Sequence, residues 1–371
     1  MEKKKSRERI IIKTSVIGII TNILLAAFKA VIGLAVHSIA VVLDAVNNLS
    51  DVVSSVVTII GTKLAAKAPD RKHPMGHGRI EYVTQMIVAS IVLYAGIASL
   101  KESIKKIITP TKPEYTTVSL VIIFIAIIVK LILGTYVKKK GKEVNSGSLI
   151  ASGSDALFDA VLSTSVFITA IFFIITKISL EAYLGVIISV IIIKSGIEMF
   201  KDGLEDILGK RVDIETVQTV KEIVCREPEV HGAFDLDLHN YGPDRLIGSV
   251  HVEVNDTMSA GEIDALTRRI QSAVYKETEI IIESITIYAV NTTDEEVKAI
   301  RDEVEKLVLA HEDVLSIHGF FVDKENRLMR FDYVTSYDSK DMDKTYMKIE
   351  EELGDKYPDY DIMIVRDYDL S

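Results

Sequence analysis

Two clusters of oxygen-bearing side chains lie inside long apolar runs. Asp44, Asn47, Asn48 and Asp51 interrupt the run from Ser38 to Ala66, and Asp155 and Asp159 interrupt the run from Leu149 to Thr176. A carboxylate near the middle of a bilayer costs roughly 2.5–3.5 kcal/mol on the most lenient scales, so it requires a partner or an aqueous cavity. Asn47/Asp51 and Asp155/Asp159 are each four apart, and on a helix that spacing puts both members on one face. Two such helices can aim four side chains at one spot. Three carboxylates and an amide make an all-oxygen set, suited to Mn2+, Mg2+ or Ca2+ rather than to a soft or imidazole-preferring ion.

A second constellation is Asp70, His73 and His77, in the segment from Ala68 to Glu81. Imidazole and carboxylate together suit zinc or manganese. The competing reading is a tight turn built by Pro74 and the neighbouring glycines, with the histidines bonded to backbone. His239 and His251 are isolated histidines further on. Cys225 is the single cysteine, which excludes an internal disulfide and a CxxC zinc site, and its amphipathic surroundings make it a core position. No nucleophile constellation, phosphate-binding loop or metalloprotease motif is present, so an enzyme is not expected.

The elements that must position these residues follow from hydropathy. Of 371 residues, 48% are hydrophobic and 26% charged, and the two kinds are segregated along the chain. Apolar runs of bilayer length predict six transmembrane helices near Ile10–Ala35, Ser38–Ala66, Tyr82–Ile107, Thr117–Val137, Leu149–Thr176 and Leu180–Lys201. Lys3, Lys4, Lys5, Arg7 and Arg9 precede the first. Lys67, Arg71, Lys72 and Arg79 follow the second, and Lys138, Lys139, Lys140 and Lys142 follow the fourth. The positive-inside rule then makes both termini cytoplasmic, with Lys101, Lys105, Lys106 and Lys112 as the smaller, opposing set. The expected location is a cell membrane, crossed several times. The net charge of −10 belongs mainly to the C-terminal part, which has no basic stripe and so no case for nucleic acid.

Beyond Asp213 the pattern becomes one of short amphipathic segments. Val217, Val220 and Val224 mark a helix face. Asp235–Leu238 and Leu246–Val254 alternate as strands around the turn Tyr241-Gly242-Pro243-Asp244; Glu262–Tyr275 is helical and Ser284–Val290 alternates again. The order recurs in a helix marked by Val297, Ile300, Val304 and Leu307, strands Ile317–Val322 and Leu328–Val334 about the turn Asp323–Asn326, helix Lys340–Leu353 and strand Asp361–Val365. This predicts a tandem duplication of a small α/β unit. The expected domains are a basic N-terminus at 1–9, a membrane domain at 10–208 and two α/β units at 209–291 and 292–371.

On Asn22, Lys29 and Gly33, on Ser38 through Asp51, on the loop Asp70–Arg79 and on Asp155–Asp159, the chain resembles the cation diffusion facilitator family, over residues up to about 291. The resemblance implies a homodimeric exporter that moves a divalent cation out of the cytoplasm in exchange for protons, with a ferredoxin-like cytoplasmic domain. It implies a transport site of two pairs four apart, which fall on Asn47/Asp51 and Asp155/Asp159, leaving Asp44 structural and Asn48 outside the ligand set. Zinc-type members carry histidine in these pairs, and here there is none. Mg2+ dehydrates reluctantly and demands near-ideal octahedral geometry, so Mn2+ is the expected cargo, with Zn2+ and Fe2+ as alternatives. The cytoplasmic domain of relatives carries a metal site, for which only His239 and His251 are on offer, Tyr288 standing where a histidine is expected. A channel would need multiple weak sites rather than two tight pairs, and a membrane-anchored metal sensor is the alternative from another class.

Overall fold

The computed structural model describes residues 2–35, 39–109, 117–176, 180–243, 245–336 and 341–368. Ser38, Asp244 and Lys340 lie outside these, as do the side chains of Asp44 and Asn47. The chain divides into two compact units, one formed by Met1–Lys210 and one by Arg211–Asn240 with Arg245–Ser371.

The first unit is helical: α1 (Glu2–Ala35), α2 (Ile39–Ala65), α3 (Ile80–Ile108), α4 (Thr117–Glu143), α5 (Gly147–Thr176) and α6 (Glu181–Leu208). Five helices among the described residues are long and apolar enough to cross a membrane, namely α1, α3, α4, α5 and α6. α2 is not among them, and along it lie Asn48, Asp51 and Lys63. The bundle is apolar outside and buries polar side chains among apolar ones inside. Ile20, Leu24, Ile132 and Val190 are exposed, whereas Thr14, Asn22, Lys29, Thr58 and Lys130 are buried. That inversion fits hydrocarbon around the helices, where polar groups have to be satisfied within the protein.

α1 starts before its apolar run and takes in the basic residues Lys3 to Arg9. Arg7 is fixed there: its guanidinium donates to both carboxylate oxygens of Glu81 at 2.9 and 2.7 Å and to the carbonyls of Val144 and Asn145. The most extensive pairings are α1 with α2, α3 with α6 and α4 with α5. Glycine makes the last of these possible. A Cβ on Gly153 would stand 2.5 Å from the backbone nitrogen of Lys138, and one on Gly134 would stand 3.0 Å from the carbonyl of Gly153. Without side chains at these points the two backbones approach closely.

In the second unit, α7 (Ile214–Val224), β1 (Val230–Asn240), β2 (Leu246–Asn255), α8 (Ala260–Thr278) and β3 (Ile281–Val290) precede α9 (Glu295–Val308), β4 (Val314–Asp323), β5 (Leu328–Thr335), α10 (Met342–Lys356) and β6 (Asp361–Tyr368). The strands form two sheets of order β1-β2-β3 and β4-β5-β6, each with an antiparallel first pair and a parallel second pair. Each sheet has its own apolar core. Val220, Val250, Leu266 and Ile270 belong to the first, and Val304, Phe331, Ile349 and Leu353 to the second. Helix starts are capped locally: Asp213, Ser259 and Asp294 accept from the first-turn amides, and Ser259 with Glu262 forms a full capping box.

The repetition extends to an irregularity. The β1·β2 register shifts between Phe234 and Asp237, and the β4·β5 register shifts between His318 and Phe321. The residue after the first of each pair adopts positive φ, 47° at Asp235 and 62° at Gly319. In a β-bulge such a residue re-aims its side chain. The bulges face each other: the Phe234 ring stacks on His318 with centroids 4.8 Å apart, and the Gly319 amide donates to Glu253 Oε1 at 3.3 Å.

Candidate metal centres

In the helical unit, Asp51 on α2 and Asp155 and Asp159 on α5 are drawn to the same interior region. Asp155 is 8% exposed and lies within electrostatic reach of the other two carboxylates. A small polar cavity reaches from Thr14, Ser15 and Asn22 on α1 to Asp51 and Asp155. Two buried amide atoms nearby in sequence or space, Asn22 Oδ1 and Asn48 Nδ2, have no hydrogen-bond partner among the described residues. Asn47 lies one helical turn before Asp51, with its side chain outside the described set.

One participant has no counterpart in the spacing arguments. Lys130, on α4 and 3% exposed, donates through Nζ to Asp51 Oδ2 and, at 2.9 Å, to Asp159 Oδ2. The glycine contact between α4 and α5 is what brings it there. Among the described residues, the ligand atoms of Asp51, Asp155 and Asp159 do not all come within 4.8 Å of one another. The ammonium joins two of them. A signal was available in the sequence, since Lys130 is a charge inside an apolar run, the criterion that singled out the aspartates.

The loop residues Asp70, His73 and His77 do converge, offering ligand atoms within 4.8 Å of one another. His73 Nδ1 lies 3.2 Å from Asp70 Oδ1 and His77 Nε2 lies 3.5 Å from Asp70 Oδ2. The buried His77 Nδ1 has no hydrogen-bond partner among the described residues. Asp70 also builds the turn, accepting from the amides of His73 and Lys72, and these bonds, led by that from His73, hold its carboxyl below the ordinary value. The turn is present, but the histidine rings face the Asp70 carboxylate rather than backbone.

In the second unit the two isolated histidines have different surroundings. His239 is exposed beside Asp237, with Nε2 3.2 Å from Oδ2. His251 donates through Nδ1 to Asp235 Oδ2 at 2.8 Å, and the same oxygen accepts from His318 Nε2 at 2.7 Å. Asp235, His318, Asp332 and Asp367 bring ligand atoms within 4.8 Å of one another. Burial pushes the Asp235 carboxyl up, but the bonds from His251 and His318 more than offset this and hold it well below the usual range. Burial likewise disfavours a charged His318, but the bond to Asp235 together with the negative charges of Asp235, Asp332 and Asp367 outweighs it, raising the imidazole. Tyr288, where a histidine was expected, donates to Asp332 Oδ2 at 2.7 Å.

A bundle with an apolar exterior that draws carboxylates and a lysine from three helices into its interior defines a multi-pass membrane protein with a charged internal site. The sequence profile of the cation efflux transmembrane domain matches residues 15–208, and that of the cation efflux protein cytoplasmic domain matches residues 212–288. The chain belongs to the cation efflux family, the cation diffusion facilitators; it is a transporter of divalent cations and not an enzyme. Similar proteins include the manganese efflux system protein MneP of Bacillus subtilis, 27% identical over 73% of this chain and 93% of the relative. MneS of the same organism, also a manganese efflux system protein, is 27% identical over 66% of this chain and 83% of its own length. The magnetosome protein MamB of Paramagnetospirillum magneticum is 28% identical over 68% and 86% respectively. Neither profile reaches past residue 288, so β4, β5, β6, α9 and α10 lie outside both.

Proposed function

We propose that this chain exports Mn2+ from the cytoplasm in exchange for protons, through a site formed by Asn47, Asp51, Asp155 and Asp159. The observation that carries the reading is the all-oxygen composition of that set, with carboxylates from α2 and α5 held inside the bundle and no histidine among them. Hard oxygen ligands favour Mn2+ over ions that prefer imidazole or thiolate. The manganese efflux relatives add support. Protons and the cation compete for the same oxygens, which is the simplest way to couple their movements.

The same reading takes α2 as a sixth span, with both termini in the cytoplasm by the distribution of basic residues. It takes the protein as a homodimer and α7–β3 and α9–β6 as a tandem duplication of a ferredoxin-like unit. Asp70, His73 and His77 form a second candidate metal site. His251 joins the Asp235 cluster, and His239 stands apart from it.

The test is uptake by purified protein in liposomes, with Mn2+, Zn2+, Fe2+ and Cd2+ compared in parallel under an imposed pH gradient. Mn2+ flux that follows the pH gradient and is abolished by Asp155→Ala, with the protein still dimeric, is the expected result. Preference for Zn2+, or wild-type flux in Asp155→Ala, overturns the ion or the site respectively.

A further inference from the structure

Lys130 bonds carboxylates on two other helices at once. A long, flexible lysine on a membrane helix ordinarily turns its ammonium towards water. This one is turned inwards, where an unpaired charge is costly, and it bonds one oxygen on α2 and one on α5, the two helices that carry the expected ligand pairs. α4 itself contributes none of those ligands. The charged groups around the ammonium are Asp51 from α2 and Asp159 and Asp155 from α5, and the buried Lys29 of α1 also acts electrostatically on Asp51.

We propose that the Lys130 ammonium is a tethered competitor for the transported cation, seated on two of its oxygens and displaced when a divalent ion binds. An ammonium and a divalent ion seated on the same two carboxylates repel each other in a poorly screened interior, so occupancy by one weakens occupancy by the other. The cation therefore takes Asp51 and Asp159 from Lys130, and Lys130 retakes them as the cation leaves. Two consequences follow. Binding is weaker than three carboxylates alone would give, which speeds release. A monovalent ion gains nothing by replacing an ammonium of equal charge, so the exchange selects for divalent ions.

The inference rests on the transport-site reading, and the experiment separates the two. Full-length protein is compared as wild type, Lys130→Met, Lys130→Gln, Lys130→Arg and Asp155→Ala, with size-exclusion chromatography to confirm assembly. Mn2+ affinity is measured at equilibrium, and initial flux is measured against Mn2+ concentration. Removing the competitor should lower the Mn2+ Kd roughly ten-fold or more in Lys130→Met and Lys130→Gln. Both KM and maximal rate should fall together, because a tighter ion is released more slowly. Lys130→Arg, which keeps the charge, should stay nearer the wild type. A purely structural lysine would instead leave the affinity unchanged or weaken it on neutralisation. Unchanged or weaker Mn2+ binding in the assembled neutral variant overturns the inference, as does failure of both neutral variants to assemble while Lys130→Arg does. If Asp155→Ala still binds and carries Mn2+ as the wild type does, the transport-site reading fails and takes the inference with it.

Discussion

Gly153 offers the sharpest test of how packing serves the site. Replacing it by alanine adds one carbon that would meet the Lys138 nitrogen at 2.5 Å, its Cα at 2.8 Å and its Cβ at 2.9 Å. Two of these are backbone atoms, so no rotamer change relieves the clash. Restoring an ordinary separation of about 3.5 Å needs α4 and α5 to part by roughly 1 Å. Overpacking of this kind costs about 1–3 kcal/mol. Lys130 is eight residues from Lys138, about 12 Å along the helix. If α4 moves as a rigid body, the Lys130–Asp159 bond lengthens from 2.9 Å beyond hydrogen-bonding range. Gly153→Ala should therefore lower the melting temperature of the detergent-solubilised protein and reduce Mn2+ flux. The control is Gly354→Ala on α10, where an added Cβ meets nothing within 4 Å. There the loss of a helical glycine should stabilise by about 0.5–1 kcal/mol and leave flux unchanged. Wild-type melting and flux in Gly153→Ala would refute the close-approach argument.

Other expectations follow from the same geometry. Mn2+ affinity should fall as pH is lowered, because protonated carboxylates no longer ligate; an affinity that is flat between about pH 5.5 and 8, a range above the ordinary carboxylate values that buried acids reach, would exclude shared oxygens. Asp155→His introduces a softer nitrogen and should lower Mn2+ flux relative to Zn2+ when both ions compete for uptake. An unchanged ratio would place selectivity elsewhere. Asp235→Asn keeps the shape but removes the charge that accepts from both His251 and His318, and should destabilise the second unit by about 1–3 kcal/mol. Chemical unfolding followed by tyrosine fluorescence measures this, and an unchanged midpoint would show that the two bonds contribute nothing.

The α/β elements were legible because their signal is local. Val217, Val220 and Val224 repeat at helical spacing and are buried in the core, whereas Cys225, expected there from the same amphipathic stretch, is exposed; the chain order helix, strand, strand, helix, strand was read in both halves. The strands were read short. β1 begins at Val230 rather than Asp235, because the bulge between Phe234 and Asp237 breaks the alternation on which the reading relied. Asp51, Asp155 and Asp159 stood out as charges within apolar runs. Lys130 obeys the same rule but has no neighbour four residues away to make a pair, so spacing passed it over. The Asp235 cluster could not be read at all. Its members Asp235 and His318 lie on different sheets, and nothing local says that β4 comes to rest against β3.

The paired bulges have a consequence for how such a contact can change. When two identical subunits meet across a two-fold axis, every substitution is made twice, and a residue must suit both sides of the axis at once. Here the two facing halves are encoded separately. The left-handed position is Asp235 in one and Gly319 in the other. An added Cβ at Gly319 would crowd the Tyr288 ring at 3.0 Å, while Asp235 extends a carboxylate to two histidines. Phe234 faces His318 rather than a copy of itself. The two halves therefore differ in what they bring to the contact, the first a phenyl ring platform and the second the imidazole stacked on it.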